Sequence, residues 1–222
     1  MAFDEIGLSK LLNAMQGTPA QQTKLLREDI RREIQKKIAS SEGGGGDFYG
    51  PFWADVKRHV AGEHDLRQAT PARIANNYRR ERLYPLLQAG FLRWWDTERA
   101  LHPGPVKVVE ASVKGRHEIE GCGTVKVENT LAYTFAGGPR TVVQAYFCED
   151  PSLSAAAARL GLWLMSQCIK TCSISQLRLL DVLEGRSFSI VEAPLQGDEE
   201  DVFRLRYSAL SQARHQLKAE YA

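Results

Sequence analysis

The sequence predicts an α+β domain in which a central mixed or antiparallel β-sheet is flanked by helices, with a helical arm at the N-terminus. Three observations carry that expectation. Apolar residues recur at helical spacing up to about residue 100, strand-like alternation takes over between 106 and 148, and helical spacing returns from 154 with one short strand pair inside it. The 222 residues are 43% hydrophobic, 9% aromatic and 25% charged, the balance of a folded chain rather than a disordered one. That length suits one ordinary domain with an appendage.

Residues 3 to 16 set Phe3, Ile6, Leu8, Leu11, Leu12 and Met15 along a short amphipathic helix, which Gly17, Thr18 and Pro19 end. A second helix is expected from 20 to 39, with Leu26, Ile30, Ile34 and Ile38 four residues apart. On its other faces Arg27, Arg31, Arg32, Lys36 and Lys37 are offset by Glu28, Asp29 and Glu33, as in ordinary helix-surface pairs. Four consecutive glycines at 43 to 46 hold a regular element poorly. The chain therefore divides into an arm over 1–40, a linker over 41–47 and an α/β domain over 48–222, and the arm is free on this reading to move or to dock on a protein partner.

The domain opens on Phe48, Tyr49, Phe52 and Trp53, with a short helix over 52–61. Thr70-Pro71 reads as the start of a helix to about 100, with Ile74, Tyr78, Leu83, Leu87, Phe91 and Trp94 along one side. Pro85 bends or divides it, because proline removes a backbone donor and crowds the preceding turn. Trp94 and Trp95 cannot share a helix face, so one of them is expected against another element or a partner. After His102-Pro103-Gly104-Pro105, residues 106 to 113 read as a strand. From 124 to 135 the alternation places Val125, Val127, Asn129, Leu131, Tyr133 and Phe135 opposite Lys126, Glu128, Thr130, Ala132 and Thr134. Gly137-Gly138 turns the chain into a returning strand over 140–148. Ser154 caps a helix to 169 that buries Leu160, Trp163 and Leu164. A second hairpin spans 177–183 and 186–191 around Glu184-Gly185. Asp198 then caps a last helix with Glu199, Glu200 and Asp201 at its positive end and a stripe of Phe203, Tyr207, Leu210, Leu217 and Tyr221.

The formal net charge is +2, so any electrostatic case for a polyanion is local. Cys122, Cys148, Cys168 and Cys172 lack the spacing of a zinc site and read as reduced thiols of a cytoplasmic protein. Asp4 and Glu5 argue against a secretory signal, and no run is apolar enough to span a membrane. Phosphate-binding loops, dinucleotide fingerprints and nucleophile elbows are absent from the sequence.

The order long helix, strand, long hairpin, helix, short hairpin, helix over residues 71 to 220 resembles the PD-(D/E)xK nuclease superfamily, above all its RecB-like branch, and so implies a restriction-endonuclease-like fold. The resemblance further implies an Asp on the first strand of the central hairpin, a Glu-x-Lys on the second and a Gln-x-x-x-Tyr in the next helix. Two carboxylates would hold a divalent metal that activates water, and the lysine would stabilise the developing negative charge. Here the Asp position falls near Glu128, and Gln144-Ala145-Tyr146 stands in place of Glu-x-Lys. An amide offers a metal no anionic oxygen and a phenol no cation at neutral pH. Leu160, Trp163 and Leu164 occupy the region of the helix motif. A divergent site would have to be assembled from Glu110, Lys126 and Glu128, with Gln144 beside them, and only then would magnesium be implied. The plainer expectation for Lys126, Glu128, Gln144 and Tyr146 is a half-solvated polar strand face with cross-strand pairing.

A second candidate surface is basic. Arg73, Arg79, Arg80 and Arg82 lie on or near the long helix with Tyr78 among them, and Lys57 and Arg58 lie upstream. Such a surface can neutralise the phosphates of DNA or RNA and stack an exposed base, or it can be a solvated face paired with its own acids. The sequence thus leads to a non-catalytic protein of nuclease-like fold without a resident cofactor, a nucleic-acid-binding or scaffolding subunit of a prokaryotic defence or DNA-repair complex. The alternatives are a divergent metal-dependent nuclease and a protein–protein adaptor docking through its N-terminal helices.

Overall fold

The computed structural model describes residues 5–38, 48–109 and 113–221. In chain order the elements are β1 (Glu5–Gly7), α1 (Leu8–Gln16), α2 (Pro19–Ile38), α3 (Gly50–Val60), α4 (Leu66–Asn76), α5 (Tyr84–Leu101), β2 (Val106–Val108), β3 (Gly115–Ile119), β4 (Gly123–Val127), β5 (Leu131–Phe135), β6 (Thr141–Tyr146), α6 (Ala155–Cys168), β7 (Leu177–Asp181), β8 (Arg186–Phe188) and α7 (Glu199–Ala219). Single 3-10 turns stand at Tyr78–Arg80 and Ile174–Gln176. The linker expected over 41–47 lies outside the described residues.

β2, β5, β6, β7 and β8 form a mixed sheet in that order. β6 and β7 run parallel and the other neighbours antiparallel. The parallel pair needs a crossover, and α6 supplies it. Because side chains alternate along each strand, the sheet separates two cores. Leu131, Tyr133, Val143, Ala145, Leu180 and Val182 face the aromatic core of α3 and α5, where Phe52, Trp53, Phe91, Trp94 and Trp95 are buried. Ala132, Val142, Tyr146, Leu177, Leu179 and Phe188 face α1, α6 and α7 on the other side. A smaller sheet, β1-β4-β3, adds Ile6, Val125, Val127 and Ile119 to this second core. The molecule is therefore an α+β fold with helices flanking mixed sheets. Among the described residues no helix is long and apolar enough to cross a membrane.

Two glycines mark how closely the layers approach. A Cβ on Gly161 of α6 would lie 2.4 Å from a methyl of Leu179 and 2.8 Å from a methyl of Leu12, so the missing side chain seats α6 between β7 and α1. A Cβ on Gly90 of α5 would lie 2.1 Å from the Val182 carbonyl oxygen.

Several expectations are corrected. The alternation from 124 to 135 is not one strand. Asn129 adopts a positive φ of 59° and breaks it, sending β4 into the small sheet and β5 into the large one. The Trp53 indole donates to the Asn129 carbonyl at 2.7 Å, and Lys57 donates to the Asn129 side chain at 2.7 Å, which fixes the break. Strand β3, unforeseen, pairs antiparallel with β4. The strand expected over 106–113 ends at Val108 within the described residues. Pro71 does not begin a helix. Asp65 caps α4 by accepting from the Arg67 N–H, and Pro71 sits inside. Pro85 does divide the long helical region, at the first turn of α5 where no N–H is needed. Residues 5 to 7 are strand, not helix, held parallel to β4. Asp198 makes no side-chain cap; the buried Glu199 instead accepts from the N–H groups of Gln196 at 2.6 Å and Gly197 at 3.1 Å.

The N-terminal helices pack on the rest of the chain. α1 buries Leu8, Leu11, Leu12, Ala14 and Met15 at helical spacing. Asp29 and Glu33, expected to pair within α2, reach across to α7: Asp29 meets Arg214 at 3.2 Å and Glu33 meets Lys218 at 2.7 Å. Trp94 and Trp95 are both buried in the aromatic core, and Trp95 packs against another element as expected, meeting Tyr133 and Phe135 of β5.

Candidate functional site

The Gln144-Ala145-Tyr146 positions lie on β6 of the β5–β6 hairpin, in which Leu131 stands opposite Val143, whereas Glu128 precedes β5 and is not part of that hairpin. Gln144 and Tyr146 project from β6 on the face that α1 covers. Alongside its apolar stripe, α1 carries Ser9, Asn13 and Gln16, spaced four and three residues apart and so on one side of the helix. Ser9 donates to the Ala145 carbonyl at 2.6 Å. The Gln16 amide donates to the Tyr146 phenol at 2.7 Å, and the phenol donates to the Pro151 carbonyl at 2.7 Å. Gln16 Oε1 accepts from the N–H and hydroxyl of Ser154, joining α1 to the cap of α6. The Gln144 amide reaches only long contacts of 3.4 Å to Ser9 and Ala145, and its oxygen is buried without a partner among the described residues. Burial pushes the Tyr146 phenol well above its usual range and the neighbouring Cys148 thiol up to about 11. Both stay protonated at neutral pH.

Asp181, on the strand beside β6 and in register with Tyr146, is a buried carboxylate on this face. Burial raises its pKa, against the pull of backbone donors that include Leu153 N–H at 2.8 Å and Glu184 N–H at 3.1 Å. Each oxygen thus ties down a loop. An amide, a phenol and one carboxylate engaged by backbone do not fit a divalent metal, which needs several oxygen ligands with anionic charge among them.

The other catalytic candidates lie elsewhere. Lys126 belongs to the small sheet, where Arg116 stands directly across from it, and Glu128 follows immediately after the end of β4. Glu5 lies 2.9 Å from Arg116 and 3.7 Å from Lys126, and Glu128 lies 3.8 Å from Arg116. For Lys126 and Glu128 two acids and two bases balance on and beside the small sheet, as expected of a polar face, but Gln144 and Tyr146 differ from that expectation because α1 covers them. The break at Asn129 separates this group from Gln144. Glu110 lies outside the described residues.

Of the basic candidates, Arg73 makes a bidentate pair with Asp55 at 2.7 and 2.9 Å, and Asp55 is only 2% exposed. Arg82 makes another with Glu149 at 2.7 and 2.6 Å, and that hydrogen bond holds the Glu149 carboxyl below its usual range. Arg58 pairs loosely with Glu63 at 3.4 Å. Lys57 is held by Asn129, and burial lowers its pKa. Arg80 lies over the Tyr84 ring at 5.2 Å and donates to the Arg73 carbonyl. Arg79 remains, exposed and without a side-chain partner among the described residues. Beside it Tyr78 is 77% exposed.

Sequence reasoning missed Asp55 and Asp181, although each is an acid inside an apolar run, as in Leu179-Leu180-Asp181-Val182, and such acids are kept only with partners. It also missed Ser9, Asn13 and Gln16, whose spacing is visible but whose target is not. No family model, curated protein or solved structure matches the chain.

Proposed function

We propose that this is a cytoplasmic, non-catalytic protein of nuclease-like element order, acting as a nucleic-acid-binding or scaffolding subunit of a prokaryotic defence or DNA-repair assembly. One observation carries the proposal: where the resemblance calls for a carboxylate and a lysine, β6 presents Gln144 and Tyr146, and α1 lies over them through Ser9 and Gln16. The element order supports the resemblance, with α5, β2, the β5–β6 hairpin, α6, the β7–β8 hairpin and α7 following in turn and β3–β4 inserted before β5.

The test is cleavage. Purified protein given single- and double-stranded DNA and RNA with magnesium or manganese is expected to release no product above background, and Glu128→Ala to behave as the parent does. Metal-dependent cleavage lost in Glu128→Ala would establish instead a divergent nuclease using Glu110, Lys126 and Glu128.

The engagement of Arg73, Arg82 and Arg58 by carboxylates favours a second reading, an adaptor that contacts no nucleic acid. With α1 in the core, the outward face of α2, carrying Lys24, Arg27 and Arg31, is then the part of the N-terminal helices left to meet a protein partner.

A further inference from the structure

We infer that the exposed Tyr78–Arg79 turn and the cleft between α3 and α4 form a binding site for single-stranded nucleic acid; this rests on the nucleic-acid-binding form of the function proposed above. The cleft has a volume of about 340 Å³ and is lined by Asp55, Arg58, His64, Asp65, Gln68 and Arg73, with Asn76 at the end of α4. Its two carboxylates are already engaged. Asp55 is gripped by Arg73 through Nε and Nη2, and Asp65 accepts the Arg67 N–H at the start of α4. Its donors are less committed. Among the described residues Arg73 keeps Nη1 and Arg58 has only the long, exposed contact with Glu63, and Gln68 and Asn76 are exposed. A cleft whose carboxylates are engaged and whose cationic and amide donors remain suits an anionic ligand.

Asn76 leads within two residues to the 3-10 turn. There the Asn77 side chain accepts the Arg79 N–H at 3.1 Å, and the Glu81 N–H bonds back to the Tyr78 carbonyl at 3.0 Å. The turn is thus closed on both sides, yet the Tyr78 ring makes no contact with another aromatic ring among the described residues. Large aromatic side chains held in solvent by a fixed backbone provide stacking surfaces for bases, and stacking accepts any base. A duplex hides its base faces, so the partner is a single strand, its base on Tyr78 and its phosphates on Arg79 and Arg58.

The experiment is fluorescence anisotropy of labelled oligo(dT) and oligo(U), with a matched duplex, on the full chain at low and rising salt. The parent is expected to bind the single strands more tightly than the duplex and to weaken with salt. Tyr78→Ala should lose about tenfold in affinity, while Tyr78→Phe should keep most of it because the ring remains. Arg79→Glu should lose affinity and flatten the salt dependence. The three changes fall at two exposed side chains, and circular dichroism should show each variant folded. Single-strand binding left unchanged by Tyr78→Ala and Arg79→Glu would overturn this site while leaving the nucleic-acid-binding function standing. Equal losses in Tyr78→Phe and Tyr78→Ala would overturn stacking. If no oligonucleotide binds at low salt, the site and nucleic-acid binding fall together, and the adaptor reading remains.

Discussion

Replacing Leu12 with alanine is expected to remove about 3 to 4 kcal/mol of stability, which for a chain of this size lowers Tm by roughly 10 °C. Leu12 is fully buried, and its methyl lies against the gap left by Gly161 on α6. It sits where α1 meets α6 and β7, which are packed on one another, so the cavity left behind has little room to collapse. Thermal or urea unfolding measures the loss, and Leu205→Ala on the exposed face of α7 provides the contrast, with an expected change within about 0.5 kcal/mol. A loss at Leu12 no larger than that at Leu205 would mean that α1 contributes nothing to the core.

The second large effect concerns Arg73. Arg73→Met is expected to cost about 2 to 3 kcal/mol, because it leaves the largely buried Asp55 carboxylate without its bidentate partner. Changing both partners, Asp55→Leu with Arg73→Met, should recover most of the loss, since a buried ion pair replaced by apolar groups of similar volume is often neutral. Urea midpoints of the two single variants and the double variant measure the coupling directly. The result also bears on function: nucleic-acid binding lost in an Arg73 variant speaks first of α3 and α4 coming apart, which is why Tyr78 and Arg79 are the better probes.

Much of the fold was legible because periodicity follows from burial on one side. The spacing of Leu8, Leu11, Leu12 and Met15, the cap at Ser154 and the strands at 141–146 and 177–181 all follow that rule. Alternation, however, says nothing about which sheet a strand joins. Val125 and Val127 keep the same parity as Leu131 and Tyr133, yet a single left-handed residue, Asn129, places the two pairs in different cores. Apolar spacing in α1 likewise shows that one side is buried but not that Ser9, Asn13 and Gln16 would sit over β6. The basic candidates were visible as residue types; their carboxylate partners come from other helices and loops, Asp55 for Arg73 and Glu149 for Arg82, so how many cations remain free depends on the tertiary structure.

The polar seat of α1 has a physical consequence. Contacts through Ser9 and Gln16 add little net stability beyond the apolar burial beside them, because each replaces a bond to water. What they add is register: the helix satisfies the Tyr146 phenol and the Ala145 carbonyl only where it now lies. A partner or substrate reaching Gln144 would first have to displace that helix, together with the α2 contacts to α7 that follow it in the chain.

Native-state hydrogen exchange read by mass spectrometry tests most directly whether α1 is a permanent cover of β6. Peptides spanning residues 8–16 should exchange as slowly as those of β6 and β7 and should lose protection only with them, as parts of one cooperative unit. Exchange of residues 8–16 at the rate of a frayed terminus, while β6 and β7 stay protected, would contradict it and return the face of Gln144 and Tyr146 to solvent.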